Sequence, residues 1–360
     1  MSDLCLVVIA RDEARCIQRC LESAAPFVDR MLVLDTGSQD DTPHLAQSAG
    51  AEVRHWPWNG RFDDARNQAL SLANADWSLV LDADEWVAPG TSREALLNHT
   101  VSSINAGAIC IRSDFELGNR QEAAEVWIPR LLPRGVRYRG RIHEQPITVG
   151  ADQQLNFVVL HDGYQQERAR NKNTRNTALL MRSLTEDPHN AYLHFQLAVQ
   201  AEIAQDWAKA CTHYERAQHL ASNQAPFAKS LHTRYLFAMS QAGRIEDALA
   251  EGLKALQSWP DSADIHFTFG DLCLTAATQD PGRALDTWLP AAEASWLRCL
   301  EIGEQPHAES RVVGRGSFLA AHNLAVIYEH CGQGERAAAF RQLSASTRAT
   351  HNSDPRTCHP

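Results

Sequence analysis

The sequence predicts two domains of different class: an α/β domain with a mostly parallel sheet, followed by an all-α domain. Three observations predict this arrangement. Short apolar strand patterns alternate with helical patterns over residues 4–85. From about residue 166 onward the pattern is helical and rich in alanine. The length of 360 residues also suits two domains of ordinary size.

The first domain is predicted from four apolar segments separated by helical ones. The segments are LCLVVIA (4–10), RMLVLDTG (30–37), AEVRHW (51–56) and WSLVLDADE (77–85). Continuous apolar strands of this kind are typical of a parallel sheet covered on both faces. Shorter, mixed strands over residues 108–162 complete the domain. Because such sheets bind ligands beyond the carboxyl ends of their strands, Asp35 and Asp82 are placed where a ligand is expected.

The helical part contains an internal repeat. QDWAKACTHYERAQHL (205–220) aligns with GRIEDALAEGLKALQSWP (243–260), and CGQGERAAAF (331–340) is a further copy. Small residues recur where paired helices must approach closely, and the pattern resembles the tetratricopeptide repeat in about four irregular copies. A generic helical bundle remains the alternative. The predicted boundaries are an α/β domain over 1–165, a connecting helix over 166–188, repeats over 189–346, and a polar, disordered tail over 347–360.

Composition excludes several classes of partner and location. The net charge of −10 argues against a protein that binds nucleic acid or an anionic membrane. No segment approaches the roughly 18 apolar residues of a transmembrane helix. The first apolar run has seven residues and no basic flank, which favours a strand over a signal peptide. Nine scattered cysteines without a CxxC motif indicate free thiols in a reducing compartment, so we expect a cytoplasmic protein.

The stretch SLVLDADEW (78–86) contains the candidate metal-binding carboxylates. Asp82 and Asp84 lie one residue apart where a buried strand leaves the core. A phosphatase-like nucleophile would need Thr or Val four residues after Asp82, where this chain has Trp86. A nucleotidyltransferase would need a glycine-rich loop after the first strand, and ARDEA has no glycine. A metal site for a phosphate-bearing substrate fits better, since carboxylates hold the hard cations that bridge phosphates. An ordinary polar turn also remains open.

Four segments in one order resemble the family 2 glycosyltransferases: VVIARDEARCIQRCLES, MLVLDTGSQDDT, FDDARNQAL and WSLVLDADEW. The resemblance implies the GT-A fold, with a Rossmann-like, mostly parallel sheet. YRGRIHEQPI and LHDGY, which lead into the repeats, look like a bacterial branch that fuses this domain to tetratricopeptide repeats. One departure concerns the segment after the first strand. The family's usual Lys-Asn-Glu is Arg11-Asp12-Glu13 here, which leaves the base contact there in doubt.

The resemblance also implies residue roles. It assigns binding of the nucleotide-sugar to Ala10, Arg11, Glu13, Asp35, Arg66 and Asp82. It places Mn²⁺ or Mg²⁺ on Asp84, with His161 and His143 as further candidate ligands, since imidazole can also bind metal. Glu144, in RIHEQ, is the candidate general base for the acceptor's proton. Glu85 is either a supporting residue or a turn residue. Arg130, Arg139 and Arg141 either neutralise a diphosphate or lie on an exposed strand face.

The expected function is therefore a metal-dependent, inverting glycosyltransferase with a nucleotide-diphosphate donor, expected to be a UDP-sugar. The acceptor would be a protein, a peptide or a cell-envelope saccharide. The repeats would bind this acceptor or form a homodimer, because helical arrays of this kind present a concave surface. The alternative is a non-catalytic tetratricopeptide scaffold with a vestigial nucleotide-binding head. A degenerate head should have lost some carboxylates, yet Asp35, Asp82, Asp84 and Glu144 are all present.

Overall fold

The computed structural model describes residues 3–103, 105–117, 120–150, 152–161 and 166–352. The chain separates into two compact units between Gln166 and Glu167. We call residues 3–166 the N-unit and residues 167–352 the C-unit. The division falls one residue from the boundary that the change in periodicity predicts. The last three residues of the LHDGY motif, 162–164, lie outside the described residues.

The first half of the N-unit is a parallel sheet with helices on both faces. Its strands are β1 (Leu4–Ala10), β2 (Arg30–Asp35), β3 (Glu52–His55) and β4 (Trp77–Asp82), and its helices are α1 (Ile17–Ala24), α2 (Thr42–Ser48) and α3 (Phe62–Ala73). β1 pairs in parallel with β2 and with β4, and β2 pairs in parallel with β3. Alternate residues of β1 belong to two separate apolar clusters, and the second of these includes the alanines of α3. This double coverage explains why the strands are apolar throughout.

The second half of the N-unit has mixed pairing. Its elements are β5 (Glu85–Val87), α4 (Arg93–Ser102), β6 (Gly107–Leu117), β7 (Arg120–Pro133), β8 (Tyr138–Arg139), β9 (Gln145–Pro146) and β10 (Gln153–His161). β7 runs antiparallel to both β4 and β6, while β10 is parallel to β6 and antiparallel to β5. β8 and β9 form a separate pair. The predicted α/β class is confirmed, with parallel pairing in its first half.

The main sheet curls upon itself. Its strand order is β3-β2-β1-β4-β7-β6-β10-β5. β4 and β5 are four strand spacings apart in that order, about 19 Å if the sheet were flat. In the chain, however, β4 ends at Asp82 and β5 begins at Glu85. Three Cα steps span at most about 11 Å, so the last strands must bend back toward the end of β4. This bend brings β5 and β10 to the carboxylates that follow β4.

The C-unit is a series of helices, as the repeat pattern predicts. They are α5 (Gln166–Glu186), α6 (Ala191–Ile203), α7 (Trp207–Leu220), α8 (Ala228–Gln241), α9 (Ile245–Ser258), α10 (Ala263–Gln279), α11 (Leu289–Ile302), α12 (Phe318–His330) and α13 (Gly334–Asn352). A 3₁₀ turn (Pro281–Arg283), a π turn (Ala284–Trp288) and a short extended segment, β11 (Ser310–Val312), interrupt the series. None of the described helices is long and apolar enough to span a membrane.

Close approach of paired helices explains the small residues of the repeat. Ala210 and Ala248, which the alignment places at equivalent positions, are both fully buried. A Cβ atom on Gly252 would lie 2.6 Å from the ring of Phe269, so only glycine fits there. The last helix runs to Asn352, so residues 347–352 of the predicted tail are helical. Residues 353–360 lie outside the described part of the chain.

Candidate active site

The carboxyl ends of four neighbouring strands lie along one edge of the sheet. Ala10 at the end of β1 pairs with Asp35, and Asp35 pairs with His55 at the end of β3. One position earlier, Ile9 pairs with Asp82 at the end of β4. The chain builds β2 and β3 on one side of β1 and then places β4 on the other side. Such a reversal of strand order is where open α/β sheets form their ligand crevice.

Five charged side chains meet at the end of β4, and we call them the Asp82 cluster. Arg66 from α3 donates Nη2–H to Asp82 Oδ1 and Nε–H to Glu144 Oε1, the latter at 3.0 Å. Arg130 from β7 donates from Nη2 to Asp82 Oδ2 at 2.9 Å and to Glu85 Oε1 at 3.1 Å. Four of these side chains are almost fully buried, whereas the Asp82 side chain is 39% exposed. Asp82 is therefore the part of the cluster that a ligand can reach.

Burial and pairing with arginine shift the pKa values of the two acids next to Arg130, Asp82 and Glu85, in opposite directions. Burial disfavours the charged form of Asp82, but Arg130 and Arg66 outweigh it and hold the pKa of Asp82 well below its usual range. Burial raises the pKa of Glu85 to about 7, despite the opposing attraction of Arg130. The backbone N–H of Asp82 also donates to Glu85 Oε2 at 2.8 Å. Three acids thus face two arginines, and one of the acids takes up a proton near neutral pH.

Asp84 and His161 lie together beside this cluster. His161 Nε2 is 3.7 Å from Asp84 Oδ2, and its Nδ1 is 3.3 Å from the Ser113 hydroxyl. The pairing of β10 with β5 places His161 opposite Glu85. Although burial opposes it, the nearby carboxylate of Asp84 raises the pKa of His161. A carboxylate oxygen and an imidazole nitrogen fit a divalent cation. Among the described residues no three His, Cys, Asp or Glu side chains form a metal-holding group.

His143, the third metal candidate, lies near Asp82. Burial lowers the pKa of His143 to about 4, even though the charge of Asp82 opposes the shift, so the imidazole is neutral at neutral pH. Its Nε2 atom is buried without a hydrogen-bond partner in the described part of the chain. Its backbone has φ of +50°, which is uncommon for a residue other than glycine. This turn directs the next residue, Glu144, toward Arg66.

The proposed nucleotide end of the crevice is built from two loops that bond to each other. Asp35 is 3% exposed, and its carboxylate accepts hydrogen bonds from the backbone N–H groups of Gly37 and Ser38, each at 3.2 Å. The backbone N–H of Glu13 donates to the Thr42 hydroxyl at 2.8 Å. Arg11 is exposed at the end of the first strand. The segments after β1 and β2 therefore form one rigid rim.

The sequence leaves two members of the Asp82 cluster undecided, since Glu85 and Arg130 each have an ordinary surface alternative. It also gives no sign of His55, which lies beside Asp35 at the other end of the crevice. A signal for Arg130 exists in IPRLLP (128–133), where it is the lone charge in an apolar run. A buried arginine needs acidic partners, so that pattern predicts a nearby carboxylate.

Residues 5–150 match the protein-family model described as Glycosyl transferase family 2. This match confirms the resemblance indicated by the four sequence segments. The chain is also similar to a TPR repeat-containing protein of Synechococcus elongatus, with 34% identity over 254 residues that cover 61% of each chain. It is similar to the SPbeta prophage-derived glycosyltransferase SunS of Bacillus subtilis, with 24% identity over 51% of this chain and 45% of that one. The chain thus spans less than two thirds of these relatives.

Two solved structures resemble parts of the chain. MamA has a TM-score of 0.39 and 12% identity, covering 52% of this chain and 94% of MamA. The glucosyl-3-phosphoglycerate synthase of Mycobacterium tuberculosis, in complex with Mn²⁺, UDP and glucosyl-3-phosphoglycerate, has a TM-score of 0.25 and 24% identity, covering 33% of this chain and 46% of that one. Likeness at these scores is too slight to carry an argument about function.

Proposed function

We propose that the protein is a metal-dependent, inverting glycosyltransferase. It transfers a sugar from a nucleotide-diphosphate donor, a UDP-sugar, to a protein, peptide or cell-envelope saccharide acceptor. The observation that carries this proposal is the Asp82 cluster next to the Asp84–His161 pair. Both lie at the end of β4, within a domain that matches the glycosyltransferase family.

The donor half of the proposal rests on charge. A nucleoside diphosphate carries several negative charges, and the crevice already holds surplus carboxylates. A cation bound there would lessen the repulsion between the diphosphate and the carboxylates of Asp82 and Asp84. Asp84 and His161 would hold Mn²⁺ or Mg²⁺, with phosphate oxygens of the donor completing its coordination. When bound, this ion offsets the charge that develops on the departing diphosphate. Asp82, held by Arg66 and Arg130, would accept hydrogen bonds from the donor's sugar hydroxyls.

The nucleoside would extend from β4 toward the ends of β1 and β2. Ala10, Arg11, Glu13 and Asp35 lie there, and the rigid rim formed by the two loops fixes their backbone. This placement puts the sugar near Asp82 and the base near β2 and β3. His143 stays a buried neutral imidazole beside the sugar end.

The acceptor half of the proposal rests on Glu144. A general base must lie within hydrogen-bond reach of the acceptor hydroxyl and must be held in place. The 3.0 Å hydrogen bond from Arg66 Nε fixes one Glu144 oxygen and leaves the other available to a proton. The C-unit, with its tetratricopeptide-like helices, would bind or orient the acceptor, or pair two copies of the chain.

The test is release of UDP from a panel of UDP-sugars, measured with Mn²⁺, with Mg²⁺ and with excess EDTA. We expect release with at least one donor in the presence of metal and none with EDTA. Release that is undiminished in EDTA would contradict the metal role. Failure to release or bind any nucleotide would favour the scaffold with a vestigial head.

A further inference from the structure

An exposed histidine is held by a buried aspartate at the nucleotide end of the crevice. His55 Nδ1 lies 3.1 Å from Asp35 Oδ2. The His55 side chain is 67% exposed, whereas that of Asp35 is 4% exposed. The two residues are direct partners in the β2–β3 pairing. Asp35 thus holds the His55 ring at Nδ1, and the rest of the ring is exposed.

The hydrogen bond fixes which ring nitrogen carries the proton. An ionised carboxylate only accepts hydrogen bonds, so His55 must donate Nδ1–H to Asp35. In a neutral imidazole the other nitrogen, Nε2, is then a hydrogen-bond acceptor. His55 Nε2 has no hydrogen-bond partner among the described residues. The surface at this point therefore presents one oriented acceptor.

The location of this acceptor matches the far end of a nucleotide. Ala10, Asp35 and His55 are in register on adjacent strands, so His55 lies two strand spacings, roughly 10 Å, from the end of β1. The metal candidates and the Asp82 cluster lie on the opposite side of β1, at β4. A diphosphate at β4 and a nucleoside running along the strand ends would bring the base to β2 and β3.

The geometry points to His55 as a residue that selects the nucleobase of the donor. Its Nε2 accepts the N3–H of a uracil ring, and Asp35 keeps the imidazole in the tautomer that does so. Cytosine has a lone pair at N3 instead of a hydrogen. Its N3 and His55 Nε2 are therefore both acceptors and cannot hydrogen-bond to each other. This inference rests on the proposed function, because it concerns the same donor site.

The experiment is calorimetric titration of UDP and CDP, in the presence of Mn²⁺, into the wild-type protein and two variants. His55→Phe keeps a ring but removes both nitrogens, and it leaves the two backbone hydrogen bonds to Asp35 in place. His44→Phe is the matched control, because His44 is a histidine on the neighbouring helix α2. The readout is the ratio of the UDP affinity to the CDP affinity. A gain in affinity from the added phenyl ring that is the same for both nucleotides cancels in this ratio.

The expected result is a wild-type preference for UDP over CDP that falls roughly tenfold in His55→Phe and is unchanged in His44→Phe. A wild-type protein that binds both equally or prefers CDP would overturn the inference. So would an unchanged ratio in His55→Phe, and in these cases the proposed function stands. If the wild type binds no nucleoside diphosphate, the proposed function fails and the role of His55 fails with it.

Discussion

The N-unit and the C-unit each contain a network of paired charged side chains, but they balance the charges differently. In the C-unit, Glu202 on α6 accepts from Arg234 at 2.7 Å and from the Tyr214 hydroxyl at 2.5 Å. One acid meets one base, and the three side chains link three successive helices. In the N-unit, three acids meet two arginines and Asp82 is open to solvent. A balanced network ties helices together, whereas an unbalanced one at a strand end favours a cationic ligand.

The largest contrast should come from making the same substitution in both networks. We expect Glu144→Gln to reduce the rate of sugar transfer by about 10²–10⁴-fold, because it removes the proposed base, with UDP binding retained. We expect Glu202→Gln to lower the stability of the C-unit and leave the rate per folded molecule unchanged. Steady-state kinetics, normalised to the concentration of folded protein, measures the rates of the two variants. Equal losses of rate in the two variants would contradict a catalytic role specific to Glu144.

A second contrast concerns the arginines. Arg130 is 9% exposed and is hydrogen-bonded to Asp82 and Glu85. Asp82 keeps Arg66, but Arg130→Met leaves the buried Glu85 without an arginine partner and should cost about 3–5 kcal/mol in the N-unit. Arg234 is 43% exposed, and Glu202 keeps its bond to Tyr214, so Arg234→Met should cost only about 1 kcal/mol in the C-unit. Denaturant-dependent hydrogen exchange, resolved by peptide, measures each unit separately. The reverse ranking would contradict the greater dependence of the N-unit on its buried arginine.

A third contrast concerns backbone approach. A Cβ atom on Gly270 in α10 would lie 2.5 Å from Nε1 of the fully buried Trp296, which cannot move aside. Gly270→Ala should therefore destabilise the C-unit by about 1–3 kcal/mol, despite the better helix propensity of alanine. On β6 in the N-unit, a Cβ on Gly107 would lie 2.5 Å from Cδ1 of Leu155 and 3.2 Å from Cβ of Leu131. Because the methyl end of Leu155 can rotate, Gly107→Ala should cost less. Chemical denaturation of the two variants compares them.

The smallest contrast is in pH dependence, where one residue of each unit, Glu85 and His213, should act with opposite sign. Burial raises the pKa of Glu85 to about 7, so the folded N-unit holds a proton that the unfolded chain releases above pH 4.5. Stability from Glu85 is present at low pH and is lost as the pH rises toward 7. Burial, together with the nearby His194, lowers the pKa of His213 to about 4, so the C-unit loses stability as the pH falls from 6.5 toward 4.

Hydrogen exchange of each unit between pH 5 and 7.5, in EDTA, measures this dependence. Glu85→Gln should flatten the slope in the N-unit, and His213→Gln should flatten the slope in the C-unit, where His213 Nδ1 lies 3.1 Å from His194 Nδ1. A slope that either substitution leaves unchanged would contradict the assignment to that residue.

The two units also differ in how far the sequence predicts them. The strand ends at Asp35 and Asp82 follow from apolar runs that stop at an acid, which is local information. The Asp82 cluster joins residues 16, 45, 48 and 78 positions apart. Its members meet because β7 inserts antiparallel beside β4 and because the sheet curls. No periodicity encodes that register, so the sequence does not show that Arg130 meets Asp82 and Glu85.

In the C-unit, the spacing of small residues predicts the helix pairs well, because contacts between neighbouring helices repeat at nearly fixed intervals. The tail shows the limit of that reasoning. Residues 347–352 are polar and aperiodic, yet they continue α13, where the hydroxyl of Ser344 one turn earlier donates to the Phe318 carbonyl. A tertiary contact of this kind extends a helix beyond what its own composition favours.

The central claim is that the end of β4 is a metal-dependent site for a nucleoside diphosphate. The most direct measurement is calorimetric titration of UDP with and without Mn²⁺, into wild type and Asp84→Ala. Asp76→Ala is the matched control, because it removes an aspartate just before the other end of the same strand. The account predicts Mn²⁺-dependent UDP binding in wild type and Asp76→Ala, and its loss in Asp84→Ala. UDP binding that is equally strong without Mn²⁺, or that persists in Asp84→Ala, would contradict it.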